Sequence, residues 1–501
     1  MGRSIALPPS ARRLLRNPEG AILSILTLGL GIGAAAALFT IVHDVLVQPL
    51  PYPRSERLVG VSHTATGMFV DEFDLSEGSY LAFRDAAHTL EGLALVEEGQ
   101  VSLTGEGVPE RIPVARATPS LLPVLGVEPL VGRGFTDDEG RPGGEPAVLL
   151  SAGLWVRRFG SDPEVLGRRI EMDGVPRTVV GVLPPEVAVP SPEVEAWLPM
   201  EIDPSAPEVG AFGLRAVGRL AESVEKDAAE RELTALVPRI AERFPGGGVS
   251  ASELERIGLG VRVRPLRQVE VGEVGEILWP LFGGCGILFL IACGNVTNLM
   301  LVRTRDRSRE MAVRSALGAG RWRTAGDLLG EALLLALGGA VVGLGLAVAG
   351  VESLRALGPE RLPRLQEVAV GAPAVGFVLV ATALSALAFG VIPAFRHSAP
   401  DLAGSLAEAG RGASPGRRRL RGADLLVAGQ IALALVLVSG GGLMVRSYRA
   451  LSSVDPGFDP DGVLTFRLEL PPVRYGDAAA RARTVDRILA RLRGIPGVDE
   501  A

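Results

Sequence analysis

Residues 278–302 are apolar almost without interruption, with Asn295, Thr297 and Asn298 as the clear polar exceptions. At 1.5 Å per residue such a run crosses a hydrocarbon layer roughly 30 Å thick. The composition then reverses: Arg303, Arg305, Arg307 and Arg309 alternate with Thr304, Asp306 and Ser308 and lead into Glu310. A short amphipathic piece, residues 311–317, is closed by Gly318-Ala319-Gly320, and residues 332–350 are apolar again. The stretch 279–350 therefore predicts a membrane hairpin: a spanning helix, a charged elbow over residues 303–323, and a second spanning helix.

Three more runs have similar length and composition. Residues 21–47 follow a short basic N-terminus, residues 1–20, which carries Arg3, Arg12, Arg13 and Arg16. A secretory signal core is roughly 7–15 residues and precedes a small-residue cleavage site. This run is longer and has no such site, so it reads as a retained transmembrane helix. With 278–302, 328–350, 373–395 and 425–444 it makes five predicted spans. Arginine is in excess in residues 1–20, 303–323 and 396–423, whereas the loop 351–372 balances it with acid. Excess arginine marks the cytoplasmic side. The N-terminus, the elbow and the 396–423 linker are thus predicted inside. Residues 48–275 and 445–501 are predicted outside.

Several functions are excluded by single residues. The net charge is −6, so no basic field draws nucleic acid. Among the 501 residues there is one lysine, Lys226, in Val-Glu-Lys-Asp. A phosphate-binding loop needs Gly-Lys-Ser/Thr, so this sequence holds no such loop and is not read as an ATPase. The two cysteines, Cys285 and Cys293, share one apolar run and read as small buried hydrophobes. His43, His63, His88 and His397 have no metal-ligand spacing, and there is no HExxH or GxSxG motif. Asp71, Glu72, Asp74 and Glu77, like Asp137 and Asp138, read as solvated loop carboxylates.

Residues 48–275 alternate between strand-like and helix-like patterns. Strands are predicted at 58–62, 112–117, 147–150, 168–172, 177–182, 214–220 and 260–265, and helices at 79–90, 120–125 and 223–244. Asp173-Gly174 predicts a tight hairpin turn. The expectation is an α+β domain large enough for its own core. Within the spans, Gly29, Gly31 and Gly33 have a spacing that lets another helix approach. The same glycines also fit the general abundance of small residues in membrane helices. Asn295 and Asn298 read as interhelix hydrogen-bonding groups, with a functional role as the competing reading. Arg323 lies i−4 to Asp327 and would pair with it, one turn before Glu331.

The ordered set Ile291-Ala-Cys-Gly-Asn295-Val-Thr-Asn298, Arg309-Glu310-Met311-Ala-Val313-Arg314-Ser-Ala-Leu317-Gly318-Ala and Glu331-Ala-Leu-Leu-Leu-Ala resembles the FtsX-type permease domain of MacB/FtsX/LolC-like ABC transporters. Gly294 stands where that family often has Ala. The string from Leu28 to Ala34, the exit Gln48-Pro-Leu-Pro51-Tyr-Pro53 and the later Val454-Asp-Pro-Gly457 resemble the duplicated-permease (ADOP) branch. Ala35 and Ala36 replace the Asn-Thr common there.

The resemblance implies an α-helical membrane domain, an FtsX-like four-helix unit plus a fifth helix, with an inserted α+β extracytoplasmic MacB-like core. Within that core, roughly residues 130–205 would form an inserted lobe. The permease domain would be 278–395, and 445–501 would begin a second extracytoplasmic domain left incomplete, so that a fragment or a truncated gene is expected. Arg309, Glu310, Met311, Val313, Arg314, Leu317 and Gly318 would form the coupling elbow that docks on an ATPase. A membrane-surface helix would carry the same pattern. The implied function is that of a non-catalytic permease subunit. It would carry ATP-driven motion from a separate MacB-like ATPase, which holds the ATP and Mg, to the outer domain. The output would be extrusion of an amphiphile, peptide or lipoprotein. No cofactor or metal is expected on this chain. Expected partners are the ATPase, a second permease half in the same full-length chain or in a dimer, membrane lipid and a periplasmic adaptor. The expected location is the bacterial inner membrane, multi-pass. The alternative implied by the FtsX side is a signalling scaffold that recruits or activates an extracytoplasmic cell-wall hydrolase.

Overall fold

A computed structural model describes residues 14, 18–105, 108–245, 250–272, 274–306, 321–357, 368–397, 417–454, 463–465 and 478–498. It divides into two compact units, Met1–Gln48 with Val271–Pro460, and Pro49–Glu270 with Asp461–Ala501. In chain order the helices are α1 (Pro18–Val42), α2 (Glu77–Ala86), α3 (Leu121–Leu125), α4 (Ala152–Phe159), α5 (Lys226–Arg243), α6 (Ala251–Ile257), α7 (Leu266–Val271), α8 (Val274–Asp306), α9 (Arg321–Leu357), α10 (Ala372–His397), α11 (Arg417–Ser452) and α12 (Ala478–Leu492).

The α+β unit is built on β1 (Leu58–Ala65), β2 (Val70–Phe73), β3 (Leu90–Thr104), β4 (Glu110–Ala117), β5 (Val131–Gly132), β6 (Ala147–Ser151), β7 (Arg169–Met172), β8 (Val175–Leu183), β9 (Ala196–Pro199), β10 (Arg215–Leu220) and β11 (Leu259–Pro265). They form one mixed sheet in the order β11-β1-β10-β3-β4-β9-β6-β8-β5, with β2 on β1 and β7 on β3 and β8. The β4–β9 and β6–β8 pairs are parallel. The long strand β3 explains the continuity. Leu93, Ala94, Leu95 and Val96 are buried on both faces at the sheet centre, as a central strand requires. Further on, β3 follows β4 from Val96↔Ala117 to Leu103↔Glu110 and meets β7 at Met172. The strands between residues 131 and 199 are therefore hydrogen-bonded into the same sheet.

The Asp173-Gly174 turn joins β7 to β8 with both residues at positive φ, 52° and 80°. That is the geometry whose twist suits a two-residue hairpin, and the Asp173 carboxylate accepts from the Ser102 N–H at 2.9 Å. The helix expected over 79–90 ends at Ala86, and Leu90 begins β3. The Glu232 carboxylate of α5 accepts the His88 and Thr89 N–H groups at 3.1 and 2.8 Å, which stops the helix there. Helix α5 lays Leu233, Leu236, Val237 and Ile240 on the sheet beside Val59, Val61 and Val263. Burial of one such side chain stabilises by about 2 kcal/mol.

Among the described residues of the helical unit four helices are long and apolar enough to cross a membrane: Pro18–Val47, Val274–Arg303, Leu329–Leu357 and Asp424–Ser452. Residues 372–388 of α10 are also apolar. Buried hydroxyls in these helices satisfy themselves on the preceding turn. Ser24 donates to Gly20, Thr40 to Ala36, Thr297 to Cys293, Thr382 to Val378 and Ser385 to Ala381, at 2.6–2.8 Å. Where no water is at hand every polar group needs such a partner. Phe39, Phe282 and Phe377 bring α1, α8 and α10 together, with Phe39 and Phe377 stacked at 4.6 Å.

Candidate functional site

The elbow residues Arg309, Glu310, Met311, Val313, Arg314, Leu317 and Gly318 lie outside the described residues, as do the side chains of Arg323 and Asp327. The helices that carry the elbow are described, and their packing is governed by glycine. A Cβ on Gly29 would sit 2.6 Å from the Val342 side chain of α9. One on Gly33 would sit 2.9 Å from the Gly343 carbonyl oxygen and 2.9 Å from the Leu346 Cβ. On α9, Gly339 meets Leu28 and Gly343 meets Ile32 in the same way. Gly31 faces α8 instead, 3.0 Å from the Ala292 Cβ. Helix α1 thus presents different glycines to α9 and to α8.

Asn295 is exposed and Asn298 half-buried, while their neighbours Cys293, Val296, Thr297 and Met300 fill the helix interface. The 3.6-residue period turns Asn295 away from α1 and α9. A polar contact that crosses helices from this segment is Cys293 Sγ to Ser385 Oγ, at 3.5 Å. Near this end Gly294 lies under the Gln430 amide of α11.

An ion pair that sequence spacing did not reveal joins α8 to α9. Arg303 Nη1 is 3.8 Å from Glu331 Oε1, and Glu331 is 3% exposed. At the other end of the unit the His43 Nδ1 contacts Asp44 at 2.9 Å, and Asp44 accepts from the Ala369 N–H.

In the α+β unit the segments where the chain enters and leaves are both part of the core. Leu50, Tyr52 and Leu266 are buried in one cluster with Trp197 and Leu58. The Ala188 N–H donates to the Tyr52 hydroxyl at 3.1 Å. Arg219, 5% exposed, donates to the carbonyls of Pro53, Arg54 and Val124. On α7, Val269 covers Gly60, where a Cβ would come within 2.7 Å.

His63 is fully buried, with Nε2 2.8 Å from Ser79 Oγ and Nδ1 3.1 Å from the Gly260 carbonyl. Phe73, Phe83 and Phe212 ring it. Burial lowers its pKa to about 4, opposed by the Gly260 carbonyl. A Ser–His pair sealed at this depth offers no path for a substrate, so it ties β1 to α2 and β11. Glu72, one of the acidic string, is engaged by Ser62 and Arg264. Among the described residues no three His, Cys, Asp or Glu side chains converge as metal ligands.

Apolar helices packed through glycine, with an α+β unit inserted between the first and the next, define a polytopic membrane protein with a large extramembrane domain. Residues 21–236 match the family model of the MacB-like periplasmic core domain, and residues 284–398 that of the FtsX-like permease C-terminal domain. The chain is 25% identical over 234 residues to the uncharacterized ABC transporter permease YknZ of Bacillus subtilis, covering 45% of this chain and 54% of that protein. It is 25% identical over 291 residues to the macrolide export ATP-binding/permease protein MacB of Burkholderia pseudomallei, covering 57% and 41%. The chain spans about half the length of the curated relatives it matches. Solved structures similar to it include the periplasmic region of MacB from Actinobacillus actinomycetemcomitans (13% identity, 38% of this chain, 86% of that one, TM-score 0.31). The extracellular domain of a YknZ from Gram-positive bacteria gives 13% identity, 41% and 99% coverage and a TM-score of 0.30. The chain belongs to the MacB/FtsX-like ABC permeases. It carries the extracytoplasmic MacB-like core and the helical FtsX-like region of that family.

Proposed function

We propose that this chain is the non-catalytic membrane subunit of an ABC system and transmits ATP-driven motion from a separate ATPase to its extracytoplasmic unit. The elbow 303–323 receives the ATPase, and helices α1 and α8 carry the movement. The observation that carries this reading is the anchoring of both connecting segments in one core. Leu50, Tyr52 and Leu266 share a cluster, and Arg219 grips the carbonyls of Pro53 and Arg54. A loosely tethered domain would absorb a helix displacement, whereas segments packed at interior density pass it to the sheet.

The protein would sit in the bacterial inner membrane with its N-terminus in the cytoplasm, in line with the arginine excess on that side. It would hold no cofactor, with ATP and Mg bound by the partner. Its cargo class would be an amphiphile, peptide or lipoprotein; the Burkholderia relative is named for macrolide export. A second permease half would complete the assembly, in contact with lipid and an adaptor outside.

Co-purification with candidate ATPase subunits tests this. Glu310→Arg and Leu317→Asp in the elbow should each reduce the recovered ATPase at least about tenfold, since a charge forced into a buried contact costs 1.4 kcal/mol or more. If the unaltered chain retains no ATPase, or both variants retain it fully, the coupling role is wrong and the hydrolase-scaffold function replaces it.

A further inference from the structure

Three helices meet at one polar point beside the elbow. Arg303 ends the second span and Glu331 lies near the start of the third. Their side chains are 3.8 Å apart, that of Arg303 17% and that of Glu331 4% exposed. The same guanidinium lies on Gly20, near the start of the first span, where a Cβ would fall 2.2 Å from Arg303 Nη2. Ala21, Val296, Met300, Ala332 and Leu335 pack into a cluster contributed by these three helices. A charge buried among apolar groups is retained only when it is paired.

We infer that Arg303 and Glu331 are positioning residues, a clamp that fixes the end of α8, from which the elbow hangs, against α9 ten residues into that helix and ties both to α1 at Gly20. The role in coupling rests on the permease reading above; the clamp itself does not. Arg303 is three residues from the end of α8 at Asp306. Movement received at the elbow therefore reaches α1 through this contact, while α8 carries it directly. Gly20 is part of the device because any side chain there would push the guanidinium off the helix.

The test uses the full chain in nanodiscs, with Cys285 and Cys293 replaced by Ala and spin labels at positions 302 and 329. Val302 and Leu329 are partly exposed and flank the pair. The unaltered pair should give a narrow distance distribution. Glu331→Gln and Arg303→Gln should broaden it, and Arg303→Lys, which keeps the charge, should leave it narrow. The exchange of the two charges, Arg303→Glu with Glu331→Arg, should narrow it again. The inference is overturned if both glutamine variants remain as narrow as the parent, or if the charge exchange is as broad as either of them. Should a glutamine variant fail to accumulate in the membrane, the charge exchange still decides: recovery supports the clamp and failure refutes it. With an ATPase bound, Glu331→Gln should leave its binding intact and lower permease-stimulated ATP hydrolysis roughly tenfold. Loss of ATPase binding by the unaltered chain would instead strike the permease reading and leave the distance result standing.

Discussion

Leucine at Gly33 is expected to separate α1 from α9 and to unfold the helical unit well below the temperature at which the parent melts. The obstruction is backbone: a Cβ there lies 2.9 Å from the Gly343 carbonyl oxygen, which cannot swing aside as a side chain would. Overpacking a close contact costs roughly 1–3 kcal/mol, and the three extra carbons beyond Cβ place this case at the upper end. Gly286→Leu on α8 is the control, because nothing lies within 4 Å of its Cβ direction. Helix content against temperature, followed by circular dichroism in detergent, should show a large drop for the first variant and little change for the second. Equal stability of the two would mean that α1 and α9 do not pack through these glycines.

The second large effect is in pH. His63 is neutral in the folded protein down to about pH 4, because burial lowers its pKa from 6.5. Unfolded, it takes up a proton below about 6.5. Between these values the unfolded chain binds more protons, so stability falls as pH falls from 6.5 to 4 and is flat from this cause below 4. The loss between pH 7.5 and pH 5 should be about 2 kcal/mol. Burial pushes Asp85, Glu139 and Glu232 up, but hydrogen bonds and charges from Arg84 and Arg243, from Arg133 and Thr136, and from Thr89 and His88 outweigh it and hold them below their usual values. Their stabilisation is lost mainly below about pH 4.5, outside this window. Urea unfolding of the α+β unit, read by hydrogen exchange in the β1 and β11 amides, should show the slope in the parent and lose it in His63→Gln. An unchanged slope in the variant would place the titration elsewhere.

Membrane spans are legible because lipid thickness fixes both the length and the composition of a spanning segment. Their ends are less so: α9 runs from Arg321 to Leu357, beyond the apolar core at 328–350, because a helix needs no lipid to continue into water. The glycine spacing on α1 was visible, and Gly339 and Gly343 on α9 carry the same four-residue spacing, but which helix packs on which is not encoded by either local period. Spacing along one helix points to Arg323 with Asp327, whose side chains lie outside the described residues, and gives no sign of the Arg303–Glu331 pair, which crosses helices. The available signal was Glu331 as the acid just before an apolar run, since a buried carboxylate needs a cation. His63 was likewise readable from the alternation Val59, Val61, His63, Ala65, which puts it on the inner face of β1. The helical expectation over 79–90 overran because Leu90 fits both periods, and only the distant Glu232 decides the stop.

The account rests on motion received at the elbow reaching the sheet through segments 49–57 and 266–271. Hydrogen exchange in these two segments, measured on the complex with its ATPase in nanodiscs with and without ATP turnover, tests that most directly. The predicted result is an ATP-dependent change in both segments that disappears in Leu317→Asp. ATP hydrolysis at the full rate with exchange in both segments unchanged would contradict it.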